Sequence, residues 1–127
     1  MKCEFVHEDI RGHIISVTGI TTCPEMVFVW TDKGYARGGC IHDTDETVLV
    51  IEGSIMLHCD YSKPMRYNNQ WQQIDEGDPS IIIPAGVPHF YISLENSLVM
   101  EYGPDNANTK KDIEMRNRVE RINRELK

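Results

Sequence analysis

Short apolar runs rich in β-branched residues recur along most of this chain with turn signals between them, the hydrophobic pattern of strands in a sandwich or barrel. The pattern predicts strands near His13–Val17, Met26–Trp30, Gly38–His42, Thr47–Ile51 and Ser54–Asp60. Further strands are predicted near Met65–Gln73, Ile81–Ile83, Phe90–Ser93 and Leu98–Tyr102. Turn-forming residues separate them: Gly19, Pro24, Lys33-Gly34, Gly53, Lys63-Pro64, Gly77-Asp78-Pro79 and Gly103-Pro104. Many short strands broken by Gly and Pro make an all-β sandwich or barrel the expected class. Pro64 and the run Asn68-Asn69-Gln70 suggest a long exposed hairpin rather than a second domain.

The pattern changes at the tail. Met115, Val119, Ile122 and Leu126 recur at spacings of four, three and four with charges elsewhere, which predicts an amphipathic helix with one narrow apolar stripe. Thr109-Lys-Lys-Asp112 resembles a capping box with Asp in place of Glu. Residues 1–108 are therefore expected to form the barrel, and residues 109–127 a helix of the same domain. The stripe is expected to pack against the barrel, with a contact in a homodimer as the sharper alternative.

With 127 residues, 40% hydrophobic and 26% charged, the chain has the size and composition of one globular domain. No apolar run approaches the roughly 18 residues of a membrane helix. The first residues, MKCEFVHEDIRG, lack the apolar segment of a secretory signal. A cytoplasmic location and no membrane partner are expected. The net charge of −7 hides an asymmetry: the segment from Lys110 onward carries +3, leaving −10 on the rest. So acidic a body argues against nucleic-acid binding, which depends on neutralising phosphates. Cys3, Cys23, Cys40 and Cys59 show no C-x-x-C spacing and are expected to stay reduced.

Two stretches carry the candidate chemistry. In Gly38-Gly39-Cys40-Ile41-His42, followed by Glu46 and Gly53, Cys40 and His42 are two apart and share one face of a strand. The second runs Gly77-Asp78, a short apolar strand, Pro84-Ala85-Gly86 and His89. Together they resemble the two motifs of the cupin superfamily, in which Cys40 stands where the family has the first histidine of His-x-His. The family's later Asn falls on Ser93. The resemblance implies a single cupin jelly-roll β-barrel, here with a C-terminal amphipathic helix. Asp9-x-Arg11-Gly12 and Arg37-Gly38 are further similar to the sugar-nucleotide isomerases and epimerases of the superfamily, in particular the ketoisomerases of dTDP-linked keto-deoxyhexoses. That likeness implies polysaccharide-biosynthetic chemistry on a nucleotide sugar.

In such a barrel Cys40 and His42 point inward. Glu46, Val48 and Val50 should follow on the next strand, with His89 and Tyr91, and Met100 and Tyr102, sharing faces on later ones. Cys40, His42, Glu46 and His89 are then a candidate set of metal ligands for zinc, iron or nickel. If the thiol stays out, the remaining two histidines and one carboxylate suit non-haem iron. Glu46 could equally brace His42.

The other reading is proton transfer beside a keto group, which requires no cofactor. His42 is then the general base, aided by Cys40 and by a tyrosine, with Tyr102 favoured over Tyr35 and Tyr91. Arg37 and Arg11 would hold the substrate's phosphates and Tyr91 would line its site. For each arginine the ordinary alternative is a structural ion pair. Trp30 and Trp71 could stack on a base, although packing is commoner, and His58 is expected to be structural. His7 and His13 carry no separable signal. A ligand-binding cupin without catalysis is a third reading, favoured by the loss of the first histidine. A homodimer is the expected assembly.

Overall fold

The computed structural model describes residues 2–20, 23–61, 69–103 and 109–126. Alternation folds the chain into two antiparallel sheets that face one another. The first contains β1 (Lys2–Asp9), β2 (Gly12–Ile20), β3 (Cys23–Thr31), β5 (Glu46–Glu52), β8 (Ile81–Ile83) and β10 (Ser97–Gly103), in the order β1-β2-β3-β10-β5-β8. The second contains β4 (Ala36–Ile41), β6 (Ser54–Asp60), β7 (Asn69–Asp75), β9 (His89–Ser93) and β11 (Lys110–Lys111), in the order β11-β4-β9-β6-β7. Val48 and Val50 of β5, Ile55 and Leu57 of β6, Ile74, Ile83 and Val99 fill the space between the sheets. On β5 the period is plain: Glu46, Val48 and Val50 are buried while Thr47 and Leu49 are half-buried. All nine expected strands have counterparts. Residues 65–68 of the expected 65–73 strand lie outside the described residues.

Two strands were not anticipated. β1 is exposed along almost all its length, with Phe5 at 61% and Val6 at 56%, so neither face imposes a hydrophobic alternation. β11 is two lysines long and is held by pairing with Ile41 and Cys40 of β4.

The helix α1 (Ile113–Arg124) lies on the outside of the second sheet. Met115 and Val119 are buried there against Ala36 and Phe90, with Ile122 at the margin. The stripe thus packs on the barrel, the first of its two expected roles, while Leu126 is 44% exposed beyond the helix end. The N-cap is Asp112, whose carboxylate accepts from the Met115 amide at 3.1 Å. The expected cap, Thr109, lies before β11 and is used elsewhere. Close approach of the helix depends on Gly39, whose φ of +91° also favours glycine. A Cβ there would fall 2.5 Å from Arg116 Cδ and 3.0 Å from Arg116 Cα. Gly39→Ala should lower unfolding free energy by about 1–3 kcal/mol, read by urea denaturation.

His58 belongs to this outer layer rather than the barrel interior. It is 1% exposed, beneath Trp71 with ring centres 4.3 Å apart and beside Phe90 at 5.2 Å. Its Nε2 accepts from Arg118 Nη1 at 3.1 Å. Burial, and then the Arg118 charge, lower its pKa against an opposing pull from Asp60. A depressed folded value means the unfolded chain takes up the proton first. Stability is therefore present above about pH 6.5, the unfolded value, and declines as pH falls through the folded one. The urea midpoint should drop between pH 7 and pH 5, and more shallowly in His58→Gln.

Candidate functional site

The two motifs meet through backbone contacts between their loops. The Gly86 amide donates to the His42 carbonyl at 2.8 Å, and the Ala85 amide to Asp45 Oδ1 at 2.9 Å. These bonds fix the loop before β9 onto the loop between β4 and β5. The side chains of His42, Glu46 and His89 are thereby brought to one end of the barrel, around a cavity of about 190 Å³. Cys40, Glu101 and Tyr102 line the same cavity.

His42, Glu46 and His89 each offer a ligand atom, and these atoms lie within 4.8 Å of one another. His42 Nε2 is 2.6 Å from Glu46 Oε2, and its Nδ1 is 2.8 Å from Thr109 Oγ1. His89 Nδ1 is 3.0 Å from the Val87 carbonyl, which can only accept, so the ring's proton sits on Nδ1 and the Nε2 lone pair faces the cluster. That Nε2 is 3.8 Å from Glu46 Oε1. Burial lowers the pKa of His89, against a smaller upward pull from Glu46, and so favours the neutral ring a metal requires.

Glu46 is lowered overall. Its burial pushes upward, but the His42 hydrogen bond, the charge of His89 and a hydrogen bond from Glu101 outweigh it. Glu101 moves the other way, well above the ordinary range, because it is desolvated and faces the Glu46 carboxylate; Arg37 opposes this only in part. Of the two carboxyl groups, Glu101 is therefore the one whose surroundings favour the protonated form. Among the described residues Glu46 Oε1 is buried with no hydrogen-bond partner.

Several expected residues sit differently. Cys40 pairs in register with His89 and lines the cavity, yet its sulfur is outside the converging set. Burial, its largest influence, raises the thiol pKa and disfavours the thiolate a metal would need. Arg37 is 5% exposed and donates from Nε to Thr31 Oγ1 at 3.0 Å and from Nη2 to the Trp30 carbonyl at 3.1 Å. It is a residue of the barrel interior, not of the cavity wall. Tyr91, its register partner, is buried in the core, and burial raises its pKa. Arg11 pairs with Asp9 at 2.6 Å and borders a separate groove beside α1. Trp30 stacks on His13 with centres 4.4 Å apart, and Trp71 covers His58; neither lines the cavity. Ser93 bonds Ser97 Oγ at 2.6 Å inside the fold.

On β10 the expected alternation is reversed. Val99 is buried in the core and Glu101 lines the cavity, while Met100 is half-buried on the opposite face. Tyr102 reaches the cavity only at the strand end, where it is 38% exposed. Glu101 was consequently missed, although its register with Val48 and Val27 places it inward. Thr109 was missed as a partner of His42 because nothing in its spacing distinguishes it from a helix cap.

No family model and no curated protein matches the sequence. Solved structures do. The capsular polysaccharide assembling protein CapF from Staphylococcus aureus superposes with a TM-score of 0.70 at 16% identity, covering 87% of this chain and 32% of that one. CapF with the inhibitor 3-isopropenyl-tropolone gives 0.71 at 15% identity, covering 87% and 34%. A variant of the oxalate decarboxylase OxdC from Bacillus subtilis gives 0.67 at 22% identity, covering 81% and 29%. The chain thus spans about a third of the length of the structures it matches. Among the described residues no helix is long and apolar enough to cross a membrane. Two facing antiparallel sheets, motif loops meeting at one end and these structural relatives identify the fold as that of the cupin superfamily.

Proposed function

We propose that the chain is a metal-dependent cupin enzyme acting on a small polar molecule, with His42, Glu46 and His89 holding a divalent first-row transition ion. The observation that carries this reading is the convergence of three ligand atoms within 4.8 Å, one of them an imidazole nitrogen whose tautomer leaves its lone pair facing the others. Two imidazoles and one carboxylate suit iron, zinc or nickel and leave positions open for substrate. When bound, such an ion polarises a carbonyl or carboxylate oxygen. The chain's own groups do the rest. Thr109 and Glu46 orient His42, and Glu101 holds a proton at the cavity wall within reach of Glu46.

A cavity of about 190 Å³ is small beside the roughly 300–1,000 Å³ of drug-sized sites. It suits a small acid or one sugar unit. The names of the relatives, one for capsular polysaccharide assembly and one for oxalate decarboxylation, favour the same two substrate classes.

A second reading, ketoisomerisation or epimerisation of a nucleotide-linked deoxysugar, is favoured by the His42–Glu46 contact of 2.6 Å, which suits a general base braced by a carboxylate. Burial of Arg37 and the pairing of Arg11 with Asp9 weigh against it, because they remove the two cations expected to hold a diphosphate. Metal analysis of the purified chain, followed by chelator treatment, separates the readings. Near-stoichiometric metal, with turnover of small acids or sugars lost on chelation and regained on reloading, supports the first. Metal-free protein that still isomerises a keto-sugar nucleotide overturns it.

A further inference from the structure

The cavity that gathers His42, Glu46 and His89 has one apolar wall, formed by Ile14 of β2 and by Val27 and Val29 of β3. Three carboxyl groups line it as well, those of Asp45, Glu46 and Glu101. Among the described residues no lysine or arginine does. The neighbouring cations are each turned elsewhere. Arg37 donates to Thr31 and to the Trp30 carbonyl, and Arg11 is held by Asp9. Arg116 reaches from α1 to the Gly38 carbonyl at 2.9 Å. Lys111 pairs in register with Cys40 but is exposed and outside the lining.

We infer that this cavity takes an uncharged ligand rich in hydroxyl groups, a single sugar unit or a polyol of that size, and discriminates against carboxylates and phosphates. The inference rests on the metal site proposed above and names its substrate class. Charge is the first ground. A divalent ion held by two neutral imidazoles is balanced by the carboxylates of Glu46 and Asp45, and Glu101 can only add negative charge. The wall therefore carries no net positive charge even with the ion in place. An anion entering from water gives up its hydration and meets no guanidinium or ammonium in return. The net charge of −7 on the whole chain also slows the approach of anions. Hydrogen bonding is the second ground. Asp45 accepts from the Ala85 amide through Oδ1, which leaves Oδ2 for a ligand. An ionised carboxylate only accepts, so a ligand hydroxyl can donate to it and a ligand carboxylate cannot. The hydroxyls of Thr44 and Tyr102, also in the lining, serve either role. Shape is the third ground. The strip of Ile14, Val27 and Val29 suits the C–H face of a sugar ring, whereas an ionised group against it would lie unpaired.

The test titrates glucose and glucuronate, which differ mainly in one charged group, into the full chain with and without zinc, read by ligand-observed NMR. Glucose should bind the zinc-loaded chain at least ~tenfold more tightly than glucuronate, about 1.4 kcal/mol. Removing zinc should widen that ratio, because the ion is the positive charge of the site. Asp45→Asn keeps an acceptor oxygen for the Ala85 amide and should narrow the ratio about threefold or more by raising glucuronate affinity. Glucuronate binding the zinc-loaded chain as tightly as glucose would overturn the inference while leaving the metal reading intact. Failure of both to bind at millimolar concentration would overturn it too. A chain that takes up no zinc yet prefers glucose would support the inference and count against the metal reading alone.

Discussion

Replacing His89 with alanine should weaken divalent-metal binding by more than ~100-fold, as read by isothermal titration with zinc or cobalt. Loss of an outer-shell partner typically costs 10–100-fold, and loss of a ligand must cost at least the upper end of that range. His42→Ala should behave alike, since its Nε2 and that of His89 converge on one carboxylate. Cys40→Ser is the informative control. The sulfur stands outside the converging atoms and burial keeps it a thiol, so affinity should change by only a few-fold. A loss in Cys40→Ser comparable to that in His89→Ala would mean that the sulfur ligates after all.

Val119→Asp should destabilise the fold by at least about 3 kcal/mol. The side chain is 1% exposed between α1 and the outer face of the second sheet, beside Ala36 and Phe90. A carboxylate there is buried among Ala36, Phe90 and Met115, and a charge placed in such a site without a formed ion pair costs about 3–5 kcal/mol. Of a total stability of about 5–15 kcal/mol, that is a large share. Urea denaturation followed by circular dichroism reads the change, with loss of helical signal ahead of the main transition if α1 detaches first. An unaltered midpoint would show that the helix is not docked as described.

Most of the architecture was legible because one face of most strands is buried. On β5 the buried Glu46, Val48 and Val50 alternate with the half-buried Thr47 and Leu49, as the two-residue period of a strand requires. It failed where burial does not discriminate. β1 is exposed on both faces, so Phe5 and Val6 read as noise. On β10 both faces are apolar, and Leu98, Met100 and Tyr102 compete with Val99 and Glu101 for the inward assignment. Hydrophobicity alone puts Met100 and Tyr102 inward and leaves the acid Glu101 outside. Only register against β3 and β5 resolves that ambiguity, and register is a property of the pairing rather than of one strand.

The site was legible in its motifs and less so in its edges. The spacing of His42, Glu46 and His89 brings them to one barrel end because the two loops are hydrogen-bonded to each other. Arg37 shows why neighbouring residues mislead. On a strand, the residue five before His42 points where local twist and the glycines at positions 38 and 39 direct it. Both glycines have positive φ, and the ladder shifts register between Gly38 and Cys40. The guanidinium ends against Thr31 and the Trp30 carbonyl instead of at the cavity. The cavity wall is instead lined by other groups, Tyr102 and Glu101 among them.

X-ray absorption at the zinc edge of the zinc-loaded chain tests the central claim most directly. Coordination by His42, Glu46 and His89 predicts a shell of nitrogen and oxygen at about 2.0–2.1 Å with imidazole outer-shell scattering and no sulfur. A sulfur shell at about 2.3 Å, or a chain that takes up no zinc, would contradict it.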